Sequence, residues 1–536
     1  MKPSALRRAA RACAALATVS AVVTAGAGIA SATPRPGSGG GALVVRTDLG
    51  VARGLDNGSS VEFLGLPFAA PPVGKLRWKP PVPARPWRGV RDATRPHQQC
   101  SAVAGGDGLE VVNEDCLYLN VYRPAKVSPG KRKLPVMVFI HGGASTQGSP
   151  GIYDGRKLAD AHEAVVVMPA YRLGVFAGLA LPSLTTESAD RSSGNYGLLD
   201  QQAALRWVRR NAAAFGGDPR EVSVLGQSAG GSAVCHQLVS PTAAGLFTSA
   251  AIWSGGCSAR QQADAYVAGK RVATALGCED ARCLRALPAD RVFRAAQGVA
   301  GGNSGSPVIG GRALPLDPMR AITTGRINKV PVVIGVARDE WMGFAFGLYP
   351  LSPEGYVKEV TAKVGQANAQ RVLSAYPLRD YEHTEYAMGT VNTDQYICRT
   401  LQTAGHLASK TRTYFYEFGD RDAPQWRSIG TPMPPPPGYH AGAAHTTEIQ
   451  YVFAYKATPG ALNAAQLKLS RQMRNYYLSF AEKGTPKAYD GPRWPTFDAA
   501  RQRSLFLDTV NKNNPVGTHV STSTGDRHKC GLWNSL

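Results

Sequence analysis

The stretch EVSVLGQSAGGSAVCHQLV at 221–239 puts a serine between glycines at the point where one periodicity gives way to another. Val222 and Val224 alternate with polar neighbours and then meet Gly226, which predicts a short strand running into a sharp turn. The residues from Ala229 to Val239 are mostly small or helix-compatible and predict a helix. Gly226-Gln227-Ser228-Ala229-Gly230 fits the G-x-S-x-G nucleophile elbow. In that turn the serine takes a strained backbone conformation, and its neighbours must be small. The helix that follows points its free N–H groups at whatever the serine attacks.

A serine hydroxyl is a weak nucleophile until a base takes its proton and a third group orients that base. The chain offers the remaining parts in a consistent order. Val136 to Ile140 is a continuous apolar run, as in a strand buried on both faces, and it ends in His141-Gly142-Gly143-Ala144. This matches the HGGG-type loop whose backbone N–H groups stabilise an oxyanion. A further strand-like run at 330–336 leads into Asp339 and Glu340, either of which suits the acid. GYHAGAAHTTEIQYVF at 438–453 contains His440 and His445, either of which suits the base. Ser, then acid, then His is the α/β-hydrolase order; chymotrypsin-like and subtilisin-like chains order them differently.

The 536 residues suffice for a large core, and neither an internal repeat nor a long low-complexity linker interrupts them. The N-terminus has Lys2, Arg7, Arg8 and Arg11, then a weakly apolar run, then Ala30-Ser31-Ala32. This is the pattern of a secretory signal over 1–32, cleaved after Ala32, followed by a flexible leader at 33–41 and one catalytic domain at 42–536. No later segment is apolar enough to span a bilayer, so no membrane anchor is expected in the mature chain. The net charge of +22 is spread along the chain, without a nucleic-acid-binding motif, and excludes specific nucleic-acid recognition. Cys13 lies in the signal, and the other eight cysteines form an even set that suggests disulfides. Their spacing lacks paired Cys-x-x-Cys motifs, so no zinc site is expected.

Longer stretches carry a resemblance. FLGLPFAAPPVGKLRW at 63–78, EDCLYLNVYRP at 114–124, NYGLLDQQAALRWVRRNAAAFGGDP at 195–219 and GQSAGG at 226–231 are similar to type-B carboxylesterases, the family that also holds cholinesterases and several lipases. SGG at 254–256, GVARDE at 335–340 and HTTEIQYVF at 445–453 extend it over nearly the whole mature chain. The resemblance implies an α/β-hydrolase: a mostly parallel twisted sheet flanked by helices, with long insertions forming a gorge. It places the nucleophile on Ser228, the acid on Glu340 and the base on His445. It places the oxyanion donors on the N–H groups of Gly143, Ala144 and Ala229, with Glu448 and Ser254 in support. The implied activity is hydrolysis of a small-molecule carboxylic ester without metal or organic cofactor. A lipase or acyltransferase with the same triad, and a non-catalytic adhesion module on the same fold, are the alternatives. The resemblance also implies bridges Cys100–Cys116, Cys278–Cys283 and Cys398–Cys530; Cys235 and Cys257, without a cholinesterase counterpart, are left to form a fourth.

Four departures qualify it. Ala144 stands where the family usually has Gly, and Gln227 where many relatives carry Glu. The loop between Cys100 and Cys116 has no aromatic residue, which argues against cation–π binding of a quaternary ammonium. GGNSGSPVIGG at 301–311 resembles the family's acyl-pocket region, with Gly310 where Asp is usual and small residues throughout.

Overall fold

The computed structural model describes residues 43–103, 110–126, 133–160, 164–425, 438–455 and 460–536. The expected signal at 1–32 and leader at 33–41 lie outside the described residues. In chain order, eleven strands build one sheet: β1 (Leu55–Asp56), β2 (Ser60–Pro67), β3 (Tyr118–Pro124), β4 (Leu134–Ile140), β5 (Val165–Pro169), β6 (Gly217–Gln227), β7 (Ser249–Trp253), β8 (Val332–Ala337), β9 (Thr413–Phe418), β10 (Ser504–Leu507) and β11 (His519–Ser521). Across the sheet they run β11-β10-β9-β8-β7-β6-β4-β5-β3-β2-β1. Neighbours from β5 through β10 are parallel, and both edges are antiparallel. Parallel neighbours need crossovers, which the helices supply.

The apolar runs are continuous because helices cover both faces of the sheet. Val136, Val138 and Ile140 of β4 join one hydrophobic cluster, and Met137 and Phe139 join the other. Val224 and Leu225 of β6 divide in the same way. Four helices matter most for the site and its support: α1 (Tyr196–Asn211), α2 (Ala229–Val239), α3 (Thr384–Ala408) and α4 (Ala464–Lys483). Among the described residues no helix is long and apolar enough to cross a membrane.

Four disulfides are formed: Cys100–Cys116, Cys235–Cys257, Cys278–Cys283 and Cys398–Cys530. The last ties the C-terminus to α3, and a charge cluster beside it does the same. His528 is buried between Asp394 Oδ1 on α3, 2.7 Å from its Nδ1, and Glu417 Oε1 on β9, 3.3 Å from its Nε2. Arg527 reaches Glu417 at 2.6 Å, and Thr524 donates to it at 2.8 Å.

Burial alone would lower the pKa of His528, but its bonds to Asp394 and Glu417 outweigh this and push it up to about 9. Burial would raise Glu417, yet the bond to His528 and the Arg527 charge hold it at about 2. The His528 contribution is therefore complete below its ordinary value of 6.5 and is lost as pH rises through about 9. The Glu417 contribution is lost only as pH falls toward about 2. We expect His528→Gln to cost on the order of 3 kcal/mol near neutrality, with the gap to wild type narrowing from about pH 7 to about pH 10. Denaturant melts across that range test this; a gap that stays constant with pH would count against the cluster being charged.

Candidate active site

The elbow is set by how closely the backbones pass at the carboxyl end of β6. Gly226 pairs with Ile140 of β4, and Gln227 pairs with Trp253 of β7. The Ser228 N–H donates to the Trp253 carbonyl at 2.9 Å, so the turn begins while the ladder is still intact. Ser228 has φ 59° and ψ −125°, a conformation that L residues adopt only under constraint. Helix α2 starts at the next residue. It lies so close to β4 that a Cβ on Gly230 would sit 2.0 Å from the Ile140 carbonyl oxygen and 2.7 Å from that of His141.

The loop after β4 rises beside the serine. Gly143 has φ +110°, and a side chain there would meet the Gln147 carbonyl oxygen at 2.3 Å. Ala144 and Ser145 follow with φ 52° and 60°, so three successive residues hold positive φ. Gly143 accepts the N–H groups of Thr146 and Gln147, each at 3.0 Å, which closes the turn. Among the described residues nothing takes the N–H groups of Gly143, Ala144 or Ala229. His141 is not part of the chemistry. It is buried, stacked on Tyr171 at 4.4 Å, and burial pushes its pKa down to about 4. The Tyr171 hydroxyl donates to its carbonyl at 2.7 Å and so braces the loop.

The acid and base left open by residue types alone fall in different places. Glu340, just past β8, is buried; its Oε1 accepts the Ala337 N–H at 3.0 Å, and its Oε2 lies 2.6 Å from His445 Nδ1. Asp339 turns the other way, to Arg421 at 2.8 Å and to the Ala443 N–H at 2.9 Å. It fastens the loop that carries His445. His440 is exposed. Ser228, Glu340 and His445 all line one cavity of about 290 Å³. Ser228 and His445 share that cavity without a hydrogen bond between them; the Gln227 amide lies 3.3 Å from His445 Nε2 instead. Catalytic hydrogen bonds are often looser before substrate binds.

Burial lowers the pKa of His445, but the charge and hydrogen bond of Glu340 outweigh it, and the net shift is upward. Glu448 lies behind the pair. Burial first and the Glu340 charge second push its carboxyl up to about 8, which keeps it mostly protonated at neutrality. Neither Glu448 oxygen has a partner of full hydrogen-bond geometry, and the Ser254 hydroxyl approaches it. Ser254 also lines the cavity, as do Gly305, Ser306 and Pro307 of the 301–311 stretch.

Two groups of residues were not singled out from the sequence. Trp341 and Phe344 meet at 5.2 Å with tilted rings, Tyr396 packs edge-on against Trp341 at 6.4 Å, and Phe344 lies 5.2 Å from the His445 ring. They form an aromatic wall beside the base. Opposed to it in chemistry is a polar stripe on α2, Ser232 and His236, with Gln201 from α1. The spacing of four residues from Ser228 to Ser232 to His236 is the signal that would have found the stripe.

Residues 41–528 match the model of a family described as the carboxylesterase family. Fumonisin B1 esterase of Sphingopyxis macrogoltabida is 33% identical over 502 residues, covering 89% of either chain. Cocaine esterase of Homo sapiens is 34% identical over 491 residues, covering 82% of either. Acetylcholinesterase of Bungarus fasciatus is 31% identical over 563 residues, covering 92% of this chain and 86% of its own.

The contact at Gly230 yields a test that needs no substrate. Gly230→Ala forces a methyl group against two backbone carbonyls that cannot give way cheaply. We expect a loss of about 3 kcal/mol in thermal or denaturant melts. Unchanged stability would show that α2 can shift away from β4.

Proposed function

The chain belongs to the carboxylesterase family, and from that premise we propose that it is an exported serine esterase working through Ser228, His445 and Glu340. The observation that carries this reading is the 2.6 Å contact between His445 Nδ1 and Glu340 Oε2, in the same cavity as a serine held at φ 59°. His445 takes the Ser228 proton as the oxygen attacks the ester carbonyl. Glu340 holds the ring in the productive tautomer and stabilises its cationic form. The N–H groups of Gly143, Ala144 and Ala229 receive the developing oxyanion. His445 then protonates the leaving alcohol, and water activated by the same ring hydrolyses the acyl-enzyme. Export accords with four disulfides, which persist in oxidising compartments.

The Ser228→Ala variant should lose at least ~10⁴-fold in kcat on p-nitrophenyl esters while melting like wild type. Turnover retained in that variant would exclude the mechanism. The pH profile gives an independent check. His445 acts as base only when neutral, and its pKa is raised, so the acid limb of kcat/KM should turn over above the ordinary histidine value of 6.5. In Glu340→Gln the largest raising influence on His445 is gone and burial remains, so the limb should move to lower pH while the rate falls. A limb that does not move in Glu340→Gln would sever His445 from Glu340.

A further inference from the structure

We propose that a second cavity, bounded by another face of α3, binds a small organic carboxylate, with Lys363 and Arg399 on its charge and Trp533 against its apolar end. The cavity has a volume of about 220 Å³. It is separate from the catalytic one: Gln395 lines it, whereas Tyr396, the next residue, lines the other.

Three segments enclose the space. Gln395, Arg399 and Gln402 stand on α3 at spacings of four and three, so they share one face of that helix. Lys363 and Val364 end the helix Pro353–Val364. Trp533 ends the helix Cys530–Trp533, and Asn534 follows it. The segments are fastened to one another. The Cys398–Cys530 bridge joins α3 to the helix that carries Trp533, and Arg371 donates to the Ser535 hydroxyl at 2.7 Å. The cavity is therefore set before any ligand arrives, which spares the cost of ordering it.

Two cations share this space without a counter-ion. Lys363 and Arg399 are both exposed and both line the cavity. Among the described residues neither forms an ion pair, and Leu536, which also lines the cavity, pairs with neither. Lys363 donates to Gln395 Oε1 at 3.2 Å and keeps two N–H groups; the Arg399 guanidinium keeps all five. Packing about the Lys363 ammonium, and after it the Arg399 charge, hold the Lys363 pKa below its ordinary value. Glu359, one turn back on the same helix, counters this by less than Arg399 contributes. Like charges so placed repel, and an anion between them relieves the repulsion.

The neighbouring amides are turned to donate as well. The Gln395 oxygen is taken by Lys363, and the Asn534 oxygen by Gln402 at 2.7 Å, so each shows its NH₂ group. Asn368 is the member left with an oxygen, since its nitrogen donates to the Val364 carbonyl at 3.3 Å. The Trp533 indole N–H is spent on the Tyr376 hydroxyl at 2.8 Å, so what the ring offers the cavity is apolar. Val364 and the Cys398 half of the bridge extend that apolar wall. Cations beside an apolar wall call for an ion with one charged end and one apolar end. A carboxylate on a small ring or short chain is such an ion, and its two oxygens match the guanidinium fork. Ester hydrolysis releases acids of this class, yet the site stands whether or not Ser228 is a nucleophile.

The test is calorimetric titration of the purified chain with sodium benzoate, benzyl alcohol and inorganic phosphate. Benzoate should saturate, and its Kd should rise about tenfold in Arg399→Gln and in Lys363→Gln. Both side chains are exposed, so both variants should melt like wild type and keep its rate on p-nitrophenyl esters. Benzyl alcohol should bind far more weakly because it brings no charge, and phosphate because it brings no apolar end. The inference falls if benzoate does not saturate, or binds both variants as tightly as wild type. It falls equally if benzyl alcohol or phosphate matches benzoate. A wild type that binds benzoate in this way but hydrolyses no ester would sink the esterase reading and uphold this site.

Discussion

The structure turns on the close passage of two backbones, the start of α2 against the end of β4. With no side chain at Gly230, the helix sits against the carbonyls of Ile140 and His141. That approach brings Ser228 and the loop after β4 to the same spot, because Ser228 opens α2 and Gly143 follows β4 within three residues. Parallel pairing does the rest. Strands β4, β6, β8 and β9 all point the same way, so the loops that follow them meet at one edge of the sheet. The strain at Ser228, Ala144 and Ser145 is sustained by the buried ladder beneath them, which leaves the loops few alternatives.

Electrostatics separates the acids that share this edge. Asp339 and Glu340 are adjacent, yet one is spent on Arg421 and the other on His445. Burying Glu448 beside Glu340 would put two negative charges in a dry space, and the shift of Glu448 to about 8 relieves it by protonation. The site therefore holds a mostly protonated acid behind Glu340 and His445. Gln227, where many relatives carry an acid, adds no further charge, and its amide instead approaches the free nitrogen of His445.

Much of this was legible from local pattern. The elbow announces itself because strand, glycine, serine and helix must coincide, and the oxyanion loop does so because a doubly buried strand ends in His-Gly-Gly. Residue types alone left Asp339 against Glu340 and His440 against His445, since nothing local says which carboxylate will meet which ring across about a hundred residues. Resemblance narrowed each pair, and it is the geometry that shows Glu340 beside His445. It also left Cys235 and Cys257 as a remainder, and the chain joins them. What stayed hidden was the lining. Trp341 and Phe344 share the turn after Glu340, but Tyr396, Gln201 and His236 come from three separate helices, and their meeting is a property of packing between crossovers that no single window of sequence reports.

The C-terminal anchor has a consequence for the edge of the sheet. Strands β10 and β11 close one edge of the sheet, and His528 and Cys530 fasten the segment after them to α3. Without His528 and Cys530 the outer strands would keep their pairing to β9 and their core packing but lose both the charge cluster and the bridge, which leaves that edge more open to other chains. The bridge and the charge cluster thus guard an edge as well as a core: by pinning the segment after β11 they keep the rim of the sheet from offering itself to a second chain.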